Sequence, residues 1–287
     1  MPEMNNDKRI WLTYSWLIIS LVAIALTIET IRAQSPAVRK IAPFKELRFD
    51  ETYAYLATDS LRTNAYERVK FIPLSTNRKA YLSLGGEART EIARFGGEDW
   101  GEGNEGNVTF WLQRYQLHAD IHLGWRLRVF GQLRSGLEQG RRTGPRPIDE
   151  DQLNVQLLFA DYTIGNANKS SSIRVRFGRQ EINYGSERFI SVRDGPNLRL
   201  SFDGLTIRYV GTGWQADALL MQSIQVPPGL LDNYRSGQIN LWGIYATRQG
   251  QDATNHLDWY YLGVFRPRAI YKDGQATETR HTVGARL

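Results

Sequence analysis

The 287-residue chain contains no cysteine, 4 histidines and 3 methionines. Without cysteine there is no disulfide framework and no thiolate metal site, a composition that suits an oxidising envelope compartment. The histidines are His118, His122, His256 and His281, and none stands in a recognisable nucleophile motif. A Gly-rich phosphate cradle is missing too: "GEGNEG" at residues 101–106 has the glycine spacing, but it is acidic and precedes a strand pattern, so it would repel phosphate. A mean hydropathy of −0.43 excludes a helical membrane protein. It does not exclude a barrel, whose strands carry half the apolar signal.

What is present begins with a leader. Lys8 and Arg9 precede the apolar run "IWLTYSWLIISLVAIALTI", and "IRA" follows before Gln34. That order of basic, apolar and small residues reads as a secretory signal cleaved after Ala33. The competing reading is an uncleaved anchor, since residues 10–28 are long enough to span a bilayer. The leader carries as many acidic as basic groups, so the net charge of +6 belongs to the exported part, where nucleic acid is not an expected partner.

Residues 34–80 read as a periplasmic lead-in of mixed charge, and at Tyr81 the period changes to two. Leu82, Leu84, Ala88 and Ile92 take one parity, and Ser83, Glu87, Arg89 and Glu91 the other. Farther on, Trp111, Tyr115, Leu117, Ala119 and Ile121 interleave with Arg114, Gln116, His118, Asp120 and His122. Trp125, Leu127, Val129, Leu133 and Leu137 interleave with Arg126, Arg128, Gln132, Arg134 and Glu138. Continued to the end, with weaker parity around Phe159 and Trp242, the pattern predicts about ten strands. Long connections, among them "QGRRTGPRPIDED", the stretch around Tyr184 and "RPRAIYKDGQA", alternate with short ones such as "LG" and "GTG". A meander with short turns at one end and long loops at the other predicts an all-β, antiparallel up-and-down transmembrane β-barrel over residues 81–287. A soluble sandwich would bury one face of every strand in a dry core and more often use Greek-key connections. Here one parity carries large charged groups that are costly to desolvate, so water is expected on that face and lipid on the other.

Six stretches then carry a family resemblance: "YLSLGGEARTE", "LQRYQLHADIHLG", "RVFGQLRSGL", "GPRPIDED", "GRQEINYGSERFISVRDGPNLRLSFDG" and "ETRHTVGARL". Over about residues 44–287 the chain resembles the alginate export family of outer-membrane porins. The resemblance implies an eighteen-stranded barrel whose arginine-rich lumen passes an anionic polysaccharide outward. It also implies further strands beyond Leu287, so the sequence reads as truncated at its C-terminus. No catalytic residue, metal or cofactor is expected; the implied partners are an anionic polysaccharide or oligosaccharide, outer-membrane lipid, and periplasmic export or envelope proteins.

Arginine stays ionised and presents a planar fork that matches a carboxylate, so many such groups along a path attract uronates without trapping one. The expected pathway is Arg126, Arg128, Arg134, Arg174 and Arg176, followed by Arg179, Arg188, Arg193 and Arg199. Glu87, Glu91, Asp120, Glu138, Glu181 and Asp203 are expected to hold these guanidiniums apart. The plainer reading of the same residues is a set of ion-pair ladders between strands. His118, Asp120 and His122 share a face and could ligate zinc only with help from other strands, because same-face neighbours lie about 7 Å apart; lumen lining is the preferred reading. Glu102, Asn104 and Glu105 offer a weak calcium loop as a minor alternative. A general anion porin, a structural barrel and an outer-membrane lipid hydrolase are the competing functions.

Overall fold

A computed structural model describes residues 44–97, 106–165, 171–250 and 256–287. Two compact units divide the chain, Met1–Phe44 and Lys45–Leu287, and every element below lies in the second. The leader at residues 1–33 and the loop with Glu102, Asn104 and Glu105 fall outside the described residues.

Among the described residues eleven strands form one sheet in which neighbours in sequence are neighbours in space. A short β1 (Ile72–Pro73) is followed by β2 (Ala80–Gly96), β3 (Asn107–Leu123), β4 (Leu127–Gln139), β5 (Asp151–Gly165) and β6 (Ser172–Gln180). Then come β7 (Phe202–Gly211), β8 (Trp214–Gln225), β9 (Tyr234–Gln249), β10 (His256–Tyr271) and β11 (Gly274–Arg286). All pairs are antiparallel, the arrangement that short hairpin links permit. Thr212 and Gly213 alone join β7 to β8, with Gly213 at φ +71°, which glycine reaches without a Cβ penalty. Among the described residues β1 pairs only Ile72 and Pro73 with β2, and β11 pairs only with β10, so the sheet is open at both edges.

Two departures from the sequence pattern have local causes. The expected long connection at "RPRAIYKDGQA" is a hairpin, with Lys272 and Asp273 the only residues between the strands. A register shift between Arg266 and Ala269 takes Pro267 out of the ladder, which is how a strand tolerates a residue without an N–H. The weak parity near Phe159 follows from a bulge. Leu133 pairs with Val155 and Gln132 with Leu157, so Gln156 is an extra residue. Gln156 and Leu157 are both buried, and the alternation resumes one step out of phase.

The faces of the sheet are opposites. On the bare face Leu117 is 64% exposed, Phe177 67% and Leu220 60%; on the covered face Arg134 is 1% exposed, Arg114 2% and Asp161 2%. A water-soluble fold sorts these residue types the other way round. Two segments cover the charged side. Phe49, in the lead-in, packs edge-on against Phe130 and Phe159 at 5.9 and 5.3 Å between ring centres. The connection between β6 and β7, residues 181–201, places Ile182 and Ile190 on Leu219, Met221, Leu241 and Leu262.

Among its described residues the lead-in carries short 3-10 turns and one α-helix, α1 (Ala65–Lys70), started by a capping box between Asn64 and Glu67. It delivers Lys70 beneath the aromatic rings, with Nζ 4.9 Å from the centre of Tyr53, and burial pushes the ammonium below its ordinary pKa. Burial by itself would raise the Glu51 carboxyl. Hydrogen bonds from Tyr53 Oη at 2.7 Å, Arg48 Nη1 at 3.0 Å and Lys45 N at 3.1 Å outweigh it, and the carboxyl lies below its ordinary value.

Candidate functional site

Strand register builds charged rows across the covered face. His122, Arg128, Asp161 and Arg176 stand opposite one another on β3 to β6. Arg128 donates through Nε and Nη2 to Asp120 at 2.7 and 2.8 Å, and through Nη2 to the Phe49 carbonyl at 2.6 Å. Arg176 grips Asp161 in the same two-pronged way at 2.7 and 2.9 Å. Its guanidinium also lies 3.8 Å from the Phe159 ring centre and 4.4 Å from that of Phe49. Paired forks and aromatic faces offset the desolvation of these cations.

A second cluster ties the 181–201 connection to the strands. Arg134 donates to Asp151 at 2.5 Å, to Gln156, and to the Arg199 carbonyl at 3.2 Å. Arg114 Nη2 meets Glu87 and Asp194, each at 3.0 Å, and Arg48 joins from the lead-in to Glu87 at 2.9 Å. Arg199 lies 3.7 Å from Glu181 and 3.6 Å from Glu46. Asn197 donates from its side chain to the carbonyls of Gln113, Leu137 and Asp149 at 2.9, 3.3 and 3.0 Å. Leu198 fills the space where a Cβ on Gly136 would stand. The expectation of a water-washed charged face is therefore corrected. Chain segments cover it, and they bring carboxylates and carbonyls that keep the buried guanidiniums paired.

The nine expected pathway arginines divide accordingly. Arg128, Arg134, Arg176 and Arg199 sit in the buried network, while Arg174 is half-buried beside it. Arg126 is not on a strand: it is exposed in the turn between β3 and β4, 4.7 Å from the centre of the Trp125 ring. Arg179 points away from the other strand arginines. It shares the parity of Phe177, on the bare face, and forks onto Asp203 at 3.0 and 3.3 Å. Arg188 and Arg193 are exposed on the 181–201 connection, Arg193 at φ +54°. Among the acids, Glu91 lies 3.8 Å from Arg89, and Glu138 pairs with Arg141 and accepts from Arg146 N at 2.7 Å. Glu181 accepts from Gln156 Nε2 at 2.8 Å. His122 Nε2 is 3.1 Å from Asp120, whereas His118 stacks on Phe130, so these residues face different partners.

Arg114, Arg208, Asp161 and Asp217 belong to the site although the expected list omits them, and their strand parity was the available signal. Arg48 had none, because it enters from the lead-in. Arg208 grips Asp217 at 2.8 and 2.7 Å. With Arg174 and Arg176 it lines a cavity of about 220 Å³ whose other walls include Asp50, Glu181 and Tyr184. The Arg174 guanidinium makes no hydrogen bond or ion pair within 4.0 Å among the described residues. The cavity thus joins two carboxylate-paired guanidiniums to one with no carboxylate within 4.0 Å among the described residues.

Residues 80–287, with their antiparallel meander and charged rows, match the profile of the family described as alginate export. The chain belongs to the alginate export family. The family comprises outer-membrane β-barrel porins that serve polysaccharide transport, a transport class rather than an enzyme class. No curated protein matches the chain. The alginate export match covers every strand from β2 to β11, so the charged rows and the 181–201 connection all lie within it.

Proposed function

We propose that the protein conducts an anionic, alginate-like polysaccharide outward across the outer membrane, with the covered face of the sheet turned to the conducting path and the bare face to lipid. The observation that carries this reading is the cavity of Arg174, Arg176 and Arg208, where one guanidinium has no carboxylate within 4.0 Å among the described residues. A uronate entering there meets Arg174 first, then competes with Asp161 for Arg176 and with Asp217 for Arg208. Exchange between fixed and mobile carboxylates keeps each site weak, which passage of a polymer requires. Residues 45–71 and 181–201 narrow the path, and Arg188 and Arg193 on the exposed part of the latter extend the cationic surface. Residues 1–33 act as a cleaved leader and 34–80 as the lead-in that supplies Arg48 and Phe49.

Flux into liposomes tests the proposal. Charged uronate oligosaccharides are expected to enter faster than neutral oligosaccharides of equal length, and Arg174→Glu is expected to abolish the difference. Equal entry of both sugars favours a general porin, and no entry favours a structural barrel.

A further inference from the structure

The connection between β8 and β9, residues 226–233, lies down against the sheet. Leu231 N donates to the Leu153 carbonyl at 2.9 Å, and Asn154 Nδ2 reaches Asp232 Oδ1 at 3.2 Å. It thereby ties β8 and β9 to β5, with β6 and β7 between them in the sheet. Leu231 and Asn233 of this part of the chain border a groove of about 700 Å³, a volume in the range of small-molecule sites. Leu158, Phe177, Leu220 and Trp242 supply the apolar lining. The first three are among the most exposed apolar residues of the strands, at 55%, 67% and 60%.

One step along each strand toward the long-loop end the lining becomes polar. Arg179, Asp203, Gln222 and Asn240 stand directly opposite one another on β6 to β9. Arg179 forks onto Asp203, and Gln222 Nε2 donates to Asn240 Oδ1 at 2.8 Å. Arg235 brings a second guanidinium, its Nε 3.8 Å from the same Asp203 carboxylate and its side chain 59% exposed. Two cations against one anion leave a single positive charge at the head of an apolar groove on the lipid-facing side. Ionised groups are expensive in hydrocarbon, so this row belongs at the head-group level.

We propose that the groove binds one anionic, phosphate-bearing membrane lipid, its phosphate on Arg235 and Arg179 and an acyl chain over Leu158, Phe177 and Leu220. Asp203 holds Arg179 in place, while Arg235 keeps its outer donors for the phosphate oxygens. The apolar lining then supplies the area that a free anion cannot use. The proposal rests on the bare face meeting lipid and not on polysaccharide passage, so either can fail without the other.

The test is native mass spectrometry of the protein released from nanodiscs containing equal phosphatidylglycerol and phosphatidylcholine. The wild type is expected to retain phosphatidylglycerol preferentially, and Arg235→Glu is expected to reduce that preference about tenfold. Arg126→Glu removes the same charge at the opposite, short-turn end and is expected to retain the preference. A wild type without preference, an unchanged Arg235→Glu, or an equal loss in Arg126→Glu overturns the site. Added inorganic phosphate is expected to leave the lipid bound; complete displacement would show a bare phosphate site and defeat the lipid assignment.

Discussion

The covered face has two halves, and the same connection crosses both. Over β8 to β10 it is held by Ile182 and Ile190 packed on Leu219, Met221, Leu241 and Leu262. Over β2 to β5 it is held by Asp194, Asn197 and Arg199, through hydrogen bonds and ion pairs to Arg114, Arg134 and backbone carbonyls. An apolar contact is non-directional and indifferent to a passing anion. A guanidinium–carboxylate pair is directional and open to exchange by another carboxylate. One half therefore anchors residues 181–201 by apolar burial, while the other holds them by directional pairs, the contacts for which a polyanion would compete under the proposed function.

The largest effect is expected where this difference is broken at its most buried pair. Arg134→Ala leaves Asp151, which is 0% exposed, without its cation, and the loss should be about 3–5 kcal/mol in urea unfolding of the micelle-bound protein. On the apolar half, Leu219→Ala should cost about 2–5 kcal/mol by leaving a cavity. That loss should be independent of added uronate oligomer, whereas uronate should loosen the polar half of the wild type. Gly136→Val pushes against Leu198, at a cost of about 1–3 kcal/mol. Faster tryptic cleavage at Arg188 or Arg193 would report the lifting of residues 181–201.

Acidification should have a smaller, local effect. The folded Glu51 carboxyl lies below its ordinary value of 4.5, so its contribution is full above that pH and is lost as pH falls through the lower, folded value. Proteolysis within residues 45–71 should accelerate across that window, and Glu51→Gln should flatten the dependence. The smallest effect is expected from Arg126→Ala, exposed in its turn beside Trp125, which should leave conductance and unfolding unchanged.

Much of this comparison is legible in the sequence. Alternation from Tyr81 onward separates Leu117 and Ile121 from Arg114 and Asp120, because each strand has one face in a different medium. The same rule puts Arg179 with Phe177, and it is the pull of its charge, not its spacing, that suggests an inward role. Gln156 is harder to read: a bulge adds a residue without a compositional mark. The covering of the charged face is not legible locally. Arg114 meets Asp194 across 80 positions and Arg89 meets the Pro196 carbonyl across 107, contacts that no short-range period encodes. The wet-face expectation fails for the same reason: Asp120, Asp161 and Asp217 pair with arginines on neighbouring strands, but the groups that cover the face, among them Phe49 and Asp194, arrive from distant segments.

Reversal potential across a potassium chloride gradient, measured on the protein in planar bilayers, tests the conducting role of the charged face most directly. The wild type should be anion-selective, and Arg174→Glu should shift selectivity toward cations without changing unfolding, because Arg174 has no ion pair within 4.0 Å among the described residues. An assembled Arg174→Glu protein with the wild-type reversal potential would contradict that role and leave the arginines as structural ladders between strands.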